Sequence, residues 1–420
     1  MTVQDGDPTT VVQPGEGTTP VPTSLNYIDN EFVEPSTGEF MDVECPGTGE
    51  MIGTVAISGA ADVDAAVAAA KAAHPAWAGM TSKGRAAIMM KWHHLIDENI
   101  EELSELVILE NGKNKTEAVG DVAKGNETVE WACSMPQLMQ GRTLEVSAGV
   151  VCQDVRDSLG VVACIVPFNF PAMVPLWTTP IALGAGNCVI LKPSEKVPMT
   201  MHRIVKLWAR AGGPPGVLQM VNGTVPVVES LCDHPDVAAV TFVGSSRVAE
   251  IVAQRCRAIN KRVLALGGAK NHLVALPDCD QEMVVNDILT SAFGSAGQRC
   301  MAASALVLVG DTGELLQSIC TAASQLQPGS GVGEIGPIID STGGDRIMRY
   351  INEAEAAGTQ VLLDGRAWLT EGVGEGGCFI GPTILLHSSA EDAAMQDEIF
   401  GPVLSVICVA TADEALGTCR

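Results

Sequence analysis

Val161-Val162-Ala163-Cys164-Ile165-Val166 decides the fold, because it is an apolar run with no polar position. Such a run predicts a strand that is buried on both faces, as in a parallel sheet. A helix is predicted at 173–183 and a second apolar strand at 188–191. The same alternation continues with helices at 199–211 and 225–232 and strands at 217–221 and 238–243. We therefore predict an α/β fold with a doubly wound sheet and right-handed crossovers.

The segments on either side extend this prediction. Residues 1–24 contain Pro8, Pro14, Pro20 and Pro22 among Thr, Gln and Gly, which predicts a disordered tail. Apolar residues recur at helical spacing between 62 and 140, and a strand pair is predicted at 146–155. A second α/β set follows, with strands near 272–276, 304–309 and 403–408. At 420 residues, the chain is long enough for two or three domains.

The composition argues against several classes of partner. The formal net charge is −25, which disfavours nucleic acid and anionic membrane surfaces, since both bind cationic surfaces. Apolar runs are interrupted by Pro, Asn or charge before they reach about eighteen residues, so no membrane span is predicted. Residues 1–70 contain twelve Asp and Glu but no Lys or Arg. That pattern is unlike a mitochondrial targeting peptide or a secretory signal.

The 13 cysteines are dispersed, and no two lie within ten positions of each other. This spacing excludes CxxC zinc and redox motifs and makes a disulfide framework a poor interpretation. We therefore predict no metal centre and a reducing compartment.

Cys300 stands out among these thiols because it ends the stretch Phe293-Gly294-Ser295-Ala296-Gly297-Gln298-Arg299-Cys300. Only a thiolate attacks, and a neighbouring guanidinium and backbone N–H groups favour that form. We therefore expect Arg299 to activate Cys300 as a nucleophile. The alternative is a buried thiol that packs as a small hydrophobe.

Polar residues follow the predicted strands at the edge where ligands bind in α/β sheets. Gly244 and Ser245 lie between a strand and a helix, where N–H groups can hold an anion, although an ordinary turn fits equally well. Lys192 and Glu195 could hold ribose hydroxyls or form a solvated pair. Asn169, between Phe168 and Phe170, could stabilise an oxyanion or simply form a turn.

Two further patterns, Glu398 and a GxGxxG motif, each allow a functional or a structural interpretation. Glu398 precedes an apolar strand and could be a ligand or an exposed helix end. Residues 331–336 spell GxGxxG, but Gln-Pro-Gly-Ser precedes them and Pro337 blocks the helix that should follow. We therefore reject this motif as a dinucleotide fingerprint.

The order and spacing of Asn169, Lys192, Gly244, Cys300 and Glu398 resemble the aldehyde dehydrogenase superfamily, from about Tyr27 to the C-terminus. The chain is most similar to the CoA-acylating branch that acts on methylmalonate semialdehyde. Four stretches carry this resemblance, at 166–177, 232–236, 268–272 and 297–302.

The resemblance implies an aldehyde dehydrogenase-like architecture. It implies a Rossmann-type NAD-binding domain at 25–143 and 158–270, with a β-hairpin oligomerisation element at 144–157. An α/β catalytic domain would follow at 271–420. The family pattern continues beyond Arg420, so the last strands of this domain and an arm to the neighbouring subunit are expected to be missing, a C-terminal truncation. Family members form homodimers or homotetramers in the mitochondrial matrix or the bacterial cytoplasm.

The resemblance also implies residue roles. Cys300 would attack the aldehyde, Asn169 would help to hold the oxyanion, and NAD would accept the hydride. The expected NAD-binding residues are Val166, Phe168, Lys192, Glu195, Lys196, Gly244, Ser245 and Glu398. In the family, a pair of arginines binds the substrate carboxylate; Arg299 matches one, and Lys124 stands in place of the other.

Ala265 is the most diagnostic departure. Hydrolytic members resemble Glu-Leu-Gly-Gly-Lys here, and that Glu activates water; this chain has Ala265-Leu266-Gly267-Gly268-Ala269-Lys270. Without the base, transfer to coenzyme A is favoured, since a thiol needs less activation than water. The implied product is propionyl-CoA, or acetyl-CoA from malonate semialdehyde, with loss of CO2. A dehydrogenase for another semialdehyde, or an inactive NAD-binding relative, remains an alternative.

Overall fold

The protein is described by a computed structural model for residues 22–374 and 376–419. These residues form two compact units. The first contains residues 22–44, 51–110 and 119–267, and the second contains residues 45–50, 111–118 and those from 268 onwards. Of the predicted tail, residues 1–21 lie outside the described part, whereas Thr23–Ser24 form a short strand. The prediction of disorder is wrong for that strand.

The secondary structure alternates as predicted through the centre of the chain. The elements up to residue 153 are β1 (Thr23–Ser24), β2 (Asn26–Ile28), β3 (Glu31–Val33), β4 (Glu39–Glu44), β5 (Met51–Ile57), α1 (Ala60–Gly79), α2 (Ser82–Glu98), α3 (Ile100–Asn111), α4 (Lys115–Ala132), α5 (Met135–Leu138), β6 (Thr143–Ser147) and β7 (Val150–Gln153). Those up to residue 266 are β8 (Val161–Ile165), α6 (Met173–Gly184), β9 (Cys188–Lys192), α7 (Met199–Arg210), β10 (Leu218–Met220), α8 (Val225–Asp233), β11 (Val237–Val243), α9 (Ser246–Ala258) and β12 (Arg262–Leu266). The remainder are β13 (His272–Ala275), α10 (Gln281–Phe293), β14 (Ala305–Val309), α11 (Gly313–Ala323), α12 (Ser341–Ala356), β15 (Gln360–Leu363), α13 (Arg366–Thr370), β16 (Thr383–His387), α14 (Ala393–Gln396), β17 (Val403–Val409) and α15 (Ala412–Thr418).

The first unit is built on a seven-stranded sheet of order β12-β11-β8-β9-β10-β2-β3. The strands from β12 to β10 are parallel to their neighbours, and β2 and β3 add an antiparallel edge. Every residue of β8 and β9 is buried, because helices cover a parallel sheet on both faces. The predicted α/β class is confirmed. The predicted alternation omitted β12, which forms the exposed edge.

Three tryptophans anchor the helices of this unit. Trp208 of α7 contacts Trp77 of α1 and Trp92 of α2 edge-on, with ring centroids 5.9 and 5.3 Å apart. The Trp77 indole N–H donates to the Leu183 carbonyl at 3.0 Å, and that of Trp92 donates to the Ile204 carbonyl at 3.2 Å. Aromatic packing therefore holds α1 and α2 against α7, and the two hydrogen bonds tie α1 to α6 and α2 to α7.

Two smaller sheets complete the first unit. Strands β1, β5 and β4 form one, and the hairpin β6–β7 forms the other, slightly earlier than the predicted strand pair at 146–155. All residues of the hairpin strands are exposed, including Leu144 and Val151.

The second unit has a five-stranded sheet of order β13-β14-β17-β16-β15, parallel except for β15 at one edge. Strands β14 and β17 lie at its centre and pair from Ala305↔Ser405 to Val309↔Val409. All of β14 is buried, so this sheet too has a covered centre. Strands β15 and β16 were not predicted from the sequence.

Candidate active site

Three neighbouring parallel strands of the first unit end next to the residues proposed to bind a dinucleotide. Their order is β11-β8-β9, and the pair Ile165↔Lys192 closes the ladder between β8 and β9. The Val166 N–H then donates to the Lys192 carbonyl at 3.1 Å. Because parallel strands share a carboxyl edge, the segments after all three strands meet there.

The segment after β8 presents Phe168 and Asn169. Asn169 is buried, with 5% of its surface exposed. The Lys196 ammonium lies 5.7 Å from the centroid of the Phe168 ring, within reach of a cation–π interaction. The segments after β8 and β9 therefore contact each other through Phe168 and Lys196.

Lys192 and Glu195 form a pair rather than a solvated loop. The Lys192 Nζ lies 3.2 Å from Glu195 Oε2, and the lysine is 5% exposed. Burial lowers the pKa of Lys192, and the Glu195 carboxylate opposes that change. A buried cation beside a partly exposed carboxylate can donate and accept hydrogen bonds to a polar ligand.

Gly244 and Ser245 form the junction between β11 and α9. The Gly244 N–H donates to the Leu266 carbonyl at 3.1 Å, and a Cβ on Gly244 would lie 2.6 Å from the Phe242 ring. Ser245 is the N-cap residue of α9, yet its side chain makes no capping hydrogen bond. The N-terminus of α9 is exposed, and the Ser245 side chain is not engaged in capping it.

Lys124 lies on the exposed face of α4. Its Nζ donates to Glu127 Oε1 at 2.8 Å and to Oε2 at 3.0 Å, and both side chains are more than half exposed. This is an ordinary i,i+3 surface pair.

In the second unit, Cys300 follows a tight left-handed turn. Ser295, Ala296 and Gly297 have φ values of 50°, 51° and 67°. A Cβ on Gly297 would lie 2.0 Å from the Gly401 carbonyl oxygen, so this position needs glycine. The Asn271 side-chain amide then donates to the Cys300 carbonyl at 2.7 Å and fixes the backbone of Cys300.

The structure corrects the expected role of Arg299 in activating the thiol. Burial raises the pKa of Cys300, and the Glu398 carboxylate raises it further. The backbone N–H groups of Cys300 and Met301 lower it. The Arg299 guanidinium instead donates to the Gly294 and Thr290 carbonyls and pairs with Glu117. Adjacent residues send their side chains in different directions, so neighbouring positions in the chain do not ensure an ion pair.

Glu398 is half-buried rather than an exposed helix end. Its Oε2 would lie 1.9 Å from a Cβ on Gly268, and its carboxylate accepts a hydrogen bond from the Ala269 N–H. Burial raises the pKa of Glu398, whereas Arg346 and Lys270 lower it. Burial also lowers the pKa of Lys270 to about 8, and its Nζ donates to the Ala394 carbonyl at 2.7 Å.

Glu398, Arg299, Ala269 and Asn271 line one small hollow of the second unit. Of these, sequence reasoning gave no role to Asn271, although it lies in the stretch 268–272 that carries the family resemblance. Glu117 was also missed, and its only signal is its position three residues after Asn114 at a helix start.

Ala265 lies on the edge strand β12, half-buried and in register with Phe242 of β11. The strand Arg262–Leu266 carries no carboxylate. The rejected GxGxxG motif forms a loop, in which the Gly331 N–H donates to the Glu334 carboxylate at 2.6 Å. Rejecting it as a dinucleotide fingerprint is therefore confirmed.

Within residues 22–374 and 376–419, there is no cluster of three or more side chains suited to hold a metal ion. Over the same residues, no helix combines the length and apolar character required to cross a membrane.

Known proteins with similar sequences and a similar fold include several semialdehyde dehydrogenases. Malonate-semialdehyde dehydrogenase 2 of Geobacillus kaustophilus is 44% identical over 404 residues, which are 95% of this chain and 83% of the relative. The mitochondrial, acylating methylmalonate-semialdehyde/malonate-semialdehyde dehydrogenase of Rattus norvegicus is 41% identical over 403 residues, covering 94% and 75%. A Sinorhizobium meliloti protein solved in complex with NAD superposes with a TM-score of 0.91 at 36% identity, covering 94% and 82%.

The sequence pattern of the aldehyde dehydrogenase family matches residues 32–419, which cover most of both units and include every candidate site residue described above. The cysteine after the left-handed turn, the strand-end residues and the half-buried Glu398 all lie within this match. The chain therefore belongs to the aldehyde dehydrogenase family.

Proposed function

We propose that this chain oxidises malonate or methylmalonate semialdehyde with NAD and transfers the acyl group from Cys300 to coenzyme A. The observation that carries the proposal is Ala265, which stands on a strand without a carboxylate where hydrolytic members are expected to have a general base. The relatives named above support the substrate class, and the name of the rat enzyme includes acylation.

The chemistry begins at the Cys300 sulfur, which attacks the aldehyde carbon as a thiolate. The Asn169 amide and the Cys300 backbone N–H donate to the oxyanion that forms. A bound NAD would supply the hydride acceptor for this carbon. The acyl group remains on Cys300 as a thioester, and the Cys300 thiolate departs again when the thiol of coenzyme A attacks.

The residues present fit a dinucleotide. The exposed N-terminus of α9 favours an anion through its dipole, and the Ser245 hydroxyl, which makes no capping hydrogen bond, can donate to a phosphate. The paired Lys192 and Glu195 suit vicinal hydroxyls of a ribose, because together they donate and accept. The proposed NAD-binding set is Val166, Phe168, Lys192, Glu195, Lys196, Gly244 and Ser245, with Glu398 assigned to the nicotinamide ribose.

Coenzyme A is the preferred acyl acceptor for a physical reason. Water needs a positioned base to attack a thioester at neutral pH, and Ala265 cannot accept a proton. A thiol is a few per cent ionised near pH 7 and is intrinsically more nucleophilic. Before this transfer, the acyl intermediate loses its β-carboxylate as CO2 and takes up a proton at the α-carbon, so the product is acetyl-CoA or propionyl-CoA.

Arg299 and Lys124 are proposed to bind the substrate carboxylate. Arg299 is held by its Nε and Nη2, while its Nη1 makes no hydrogen bond among the described residues. Lys124 is a point charge already paired with Glu127, so it cannot supply the bidentate fork of an arginine. This pairing favours a second candidate, a CoA-acylating dehydrogenase for another semialdehyde.

The deciding experiment follows NADH fluorescence with malonate semialdehyde, methylmalonate semialdehyde and succinate semialdehyde, each with and without coenzyme A. We expect sustained NADH production only when coenzyme A is present, and acetyl-CoA or propionyl-CoA as the product. Sustained production without coenzyme A would contradict the argument from Ala265. Preference for succinate semialdehyde would favour the second candidate.

Two variants make the test specific. Cys300→Ala should abolish NADH production with all substrates, while NAD binding persists. Ala265→Glu should restore turnover without coenzyme A to a measurable level, because it places a base where the hydrolytic members are expected to have one.

A further inference from the structure

The turn that precedes Cys300 has an unusual backbone. Ser295 and Ala296 both adopt the left-handed conformation, at φ 50°, ψ 35° and φ 51°, ψ 36°. Residues with a Cβ avoid this region unless their surroundings impose it. Two successive residues in this conformation, a few positions before Cys300, need a specific restraint.

Glu117 supplies that restraint from a distant part of the chain. Its Oε1 accepts a hydrogen bond from the Ser295 N–H at 2.7 Å. The same oxygen forms an ion pair with Arg299 Nη2 at 3.4 Å. Its backbone is itself fixed, because the Glu117 N–H donates to Asn114 Oδ1 at 3.0 Å. The Asn114 amide donates in turn to the Glu334 carbonyl at 2.8 Å. A single carboxylate oxygen therefore connects the start of α4 to the turn.

Arg299 also restrains the turn, through hydrogen bonds to carbonyl groups that precede it. Its Nε donates to the Gly294 carbonyl at 3.1 Å and its Nη2 to the Thr290 carbonyl at 3.0 Å, near the end of α10. A Cβ on Gly294 would collide with Arg299 Nη2 and lie 3.0 Å from Glu117 Oε1. The glycine at 294 is thus required by the pair that crosses it.

The second oxygen of Glu117 argues against a purely stabilising role. Glu117 Oε2 is buried and has no hydrogen-bond partner among the described residues. Leaving a buried acceptor unpaired costs stability, and such costs concentrate at functional sites.

We propose that Glu117 is a positioning residue that holds the left-handed turn Ser295–Ala296 and, through it, the backbone N–H groups of Cys300 and Met301 against the thiol. The proposal rests on the nucleophilic role assigned to Cys300. Release of the turn moves these N–H groups away from the sulfur and weakens their stabilisation of the thiolate.

The test measures alkylation of Cys300 by iodoacetamide as a function of pH, with the modified residue identified by mass spectrometry. In Glu117→Ala, we expect the pH midpoint of alkylation to move upward and kcat to fall at least about tenfold, with KM for NAD little changed. Glu117→Gln keeps an acceptor oxygen for the Ser295 N–H and should remain within about threefold of the wild type. Glu130→Ala, on an exposed position of the same helix, is the matched control.

The outcomes are distinguishable. The proposal would be overturned if Glu117→Ala had the alkylation midpoint and kcat of the wild type. It would also be overturned if the Gln and Ala variants were equally impaired, because the effect would then come from the lost charge. If Glu117→Ala does not fold, Glu117→Asp carries the same expectation, because its shorter side chain cannot reach Ser295. A wild type that makes no NADH but whose Cys300 midpoint still depends on Glu117 would refute the proposed function and leave the positioning role intact.

Discussion

Replacement of Glu110 by Gln tests how the first unit tolerates a fully buried carboxyl group. Glu110 is the penultimate residue of helix α3, and its Oε2 accepts a hydrogen bond from the Met199 N–H at 2.6 Å. Its Oε1 accepts from the Thr200 N–H at 2.9 Å and from the Thr200 hydroxyl. These N–H groups belong to the first turn of α7, where a helix has no partners of its own for them.

The pKa of Glu110 determines how strongly the free energy of unfolding depends on pH. Burial raises it to about 7 from the ordinary 4.5, although the hydrogen bonds from Thr200 and Met199 favour the ionised form. Between these values, the folded protein keeps a proton that the unfolded chain has released, so the free energy of unfolding falls as pH rises. At about 1.4 kcal/mol per pKa unit, the loss between pH 4.5 and 7 is roughly 3 kcal/mol, and it stays constant above pH 7.

Glu110→Gln removes this titration. It also leaves the Met199 N–H facing an amide donor, which costs about 1–3 kcal/mol independently of pH. We therefore expect the wild type to be more stable than the variant at pH 4.5, with the difference shrinking by roughly 3 kcal/mol by pH 7.

Urea unfolding at a series of pH values, followed by tryptophan fluorescence, measures this difference. Glu130→Gln, an exposed change on α4, controls for the loss of one negative charge. A difference between the wild type and Glu110→Gln that does not vary with pH would refute the reasoning, since it would mean that Glu110 does not titrate in this range.

Three further predictions concern the cofactor and the assembly. Gly268→Ala places a methyl group against the Glu398 carboxylate and should raise KM for NAD about tenfold with little change in Tm; an unchanged KM would contradict the role of Glu398. Lys192→Met should weaken NAD binding at least about tenfold in calorimetric titration, and retained affinity would remove Lys192 from the site. Val151→Asp charges an exposed apolar strand of the hairpin and should lower the sedimenting mass; an unchanged mass would show that the hairpin does not mediate assembly.

The central sheet could be predicted because burial on both faces leaves a direct signature in sequence. Strands β8 and β9 are apolar along their length, and helices α6 and α7 begin within a residue of their predicted positions. Strand β12 alternates between exposed and half-buried residues and takes its ladder from β11 alone. Its exposed positions include Leu264 and Leu266, so polar and apolar residues do not alternate with burial, and the pairing with β11 determines the strand.

The position of the proposed dinucleotide-binding residues in the fold could be predicted for a related reason. Parallel neighbours end at one edge, so the order of β11, β8 and β9 is enough to bring Asn169, Lys192 and Gly244 to it. Pairings across long sequence separations could not be predicted. Glu117 stands three residues after the helix-capping Asn114, where a carboxylate commonly turns back to the N-cap, but it instead bonds to Ser295, 178 residues away.

Because contacts between residues far apart in the sequence could not be predicted, the environment of Cys300 differs from what its sequence neighbours indicate. A guanidinium at the preceding position predicts an activated thiolate, yet the charge that acts on the thiol is the Glu398 carboxylate, and its effect has the opposite sign. With Arg299 engaged by Glu117 and two carbonyls, the groups within the second unit that favour the thiolate are the backbone N–H groups of Cys300 and Met301. Backbone N–H groups cannot be exchanged by mutation and act only in a defined direction. The conformation of the turn at 294–297 therefore controls the reactivity of the nucleophile, and a residue that restrains this turn affects the thiol without touching it.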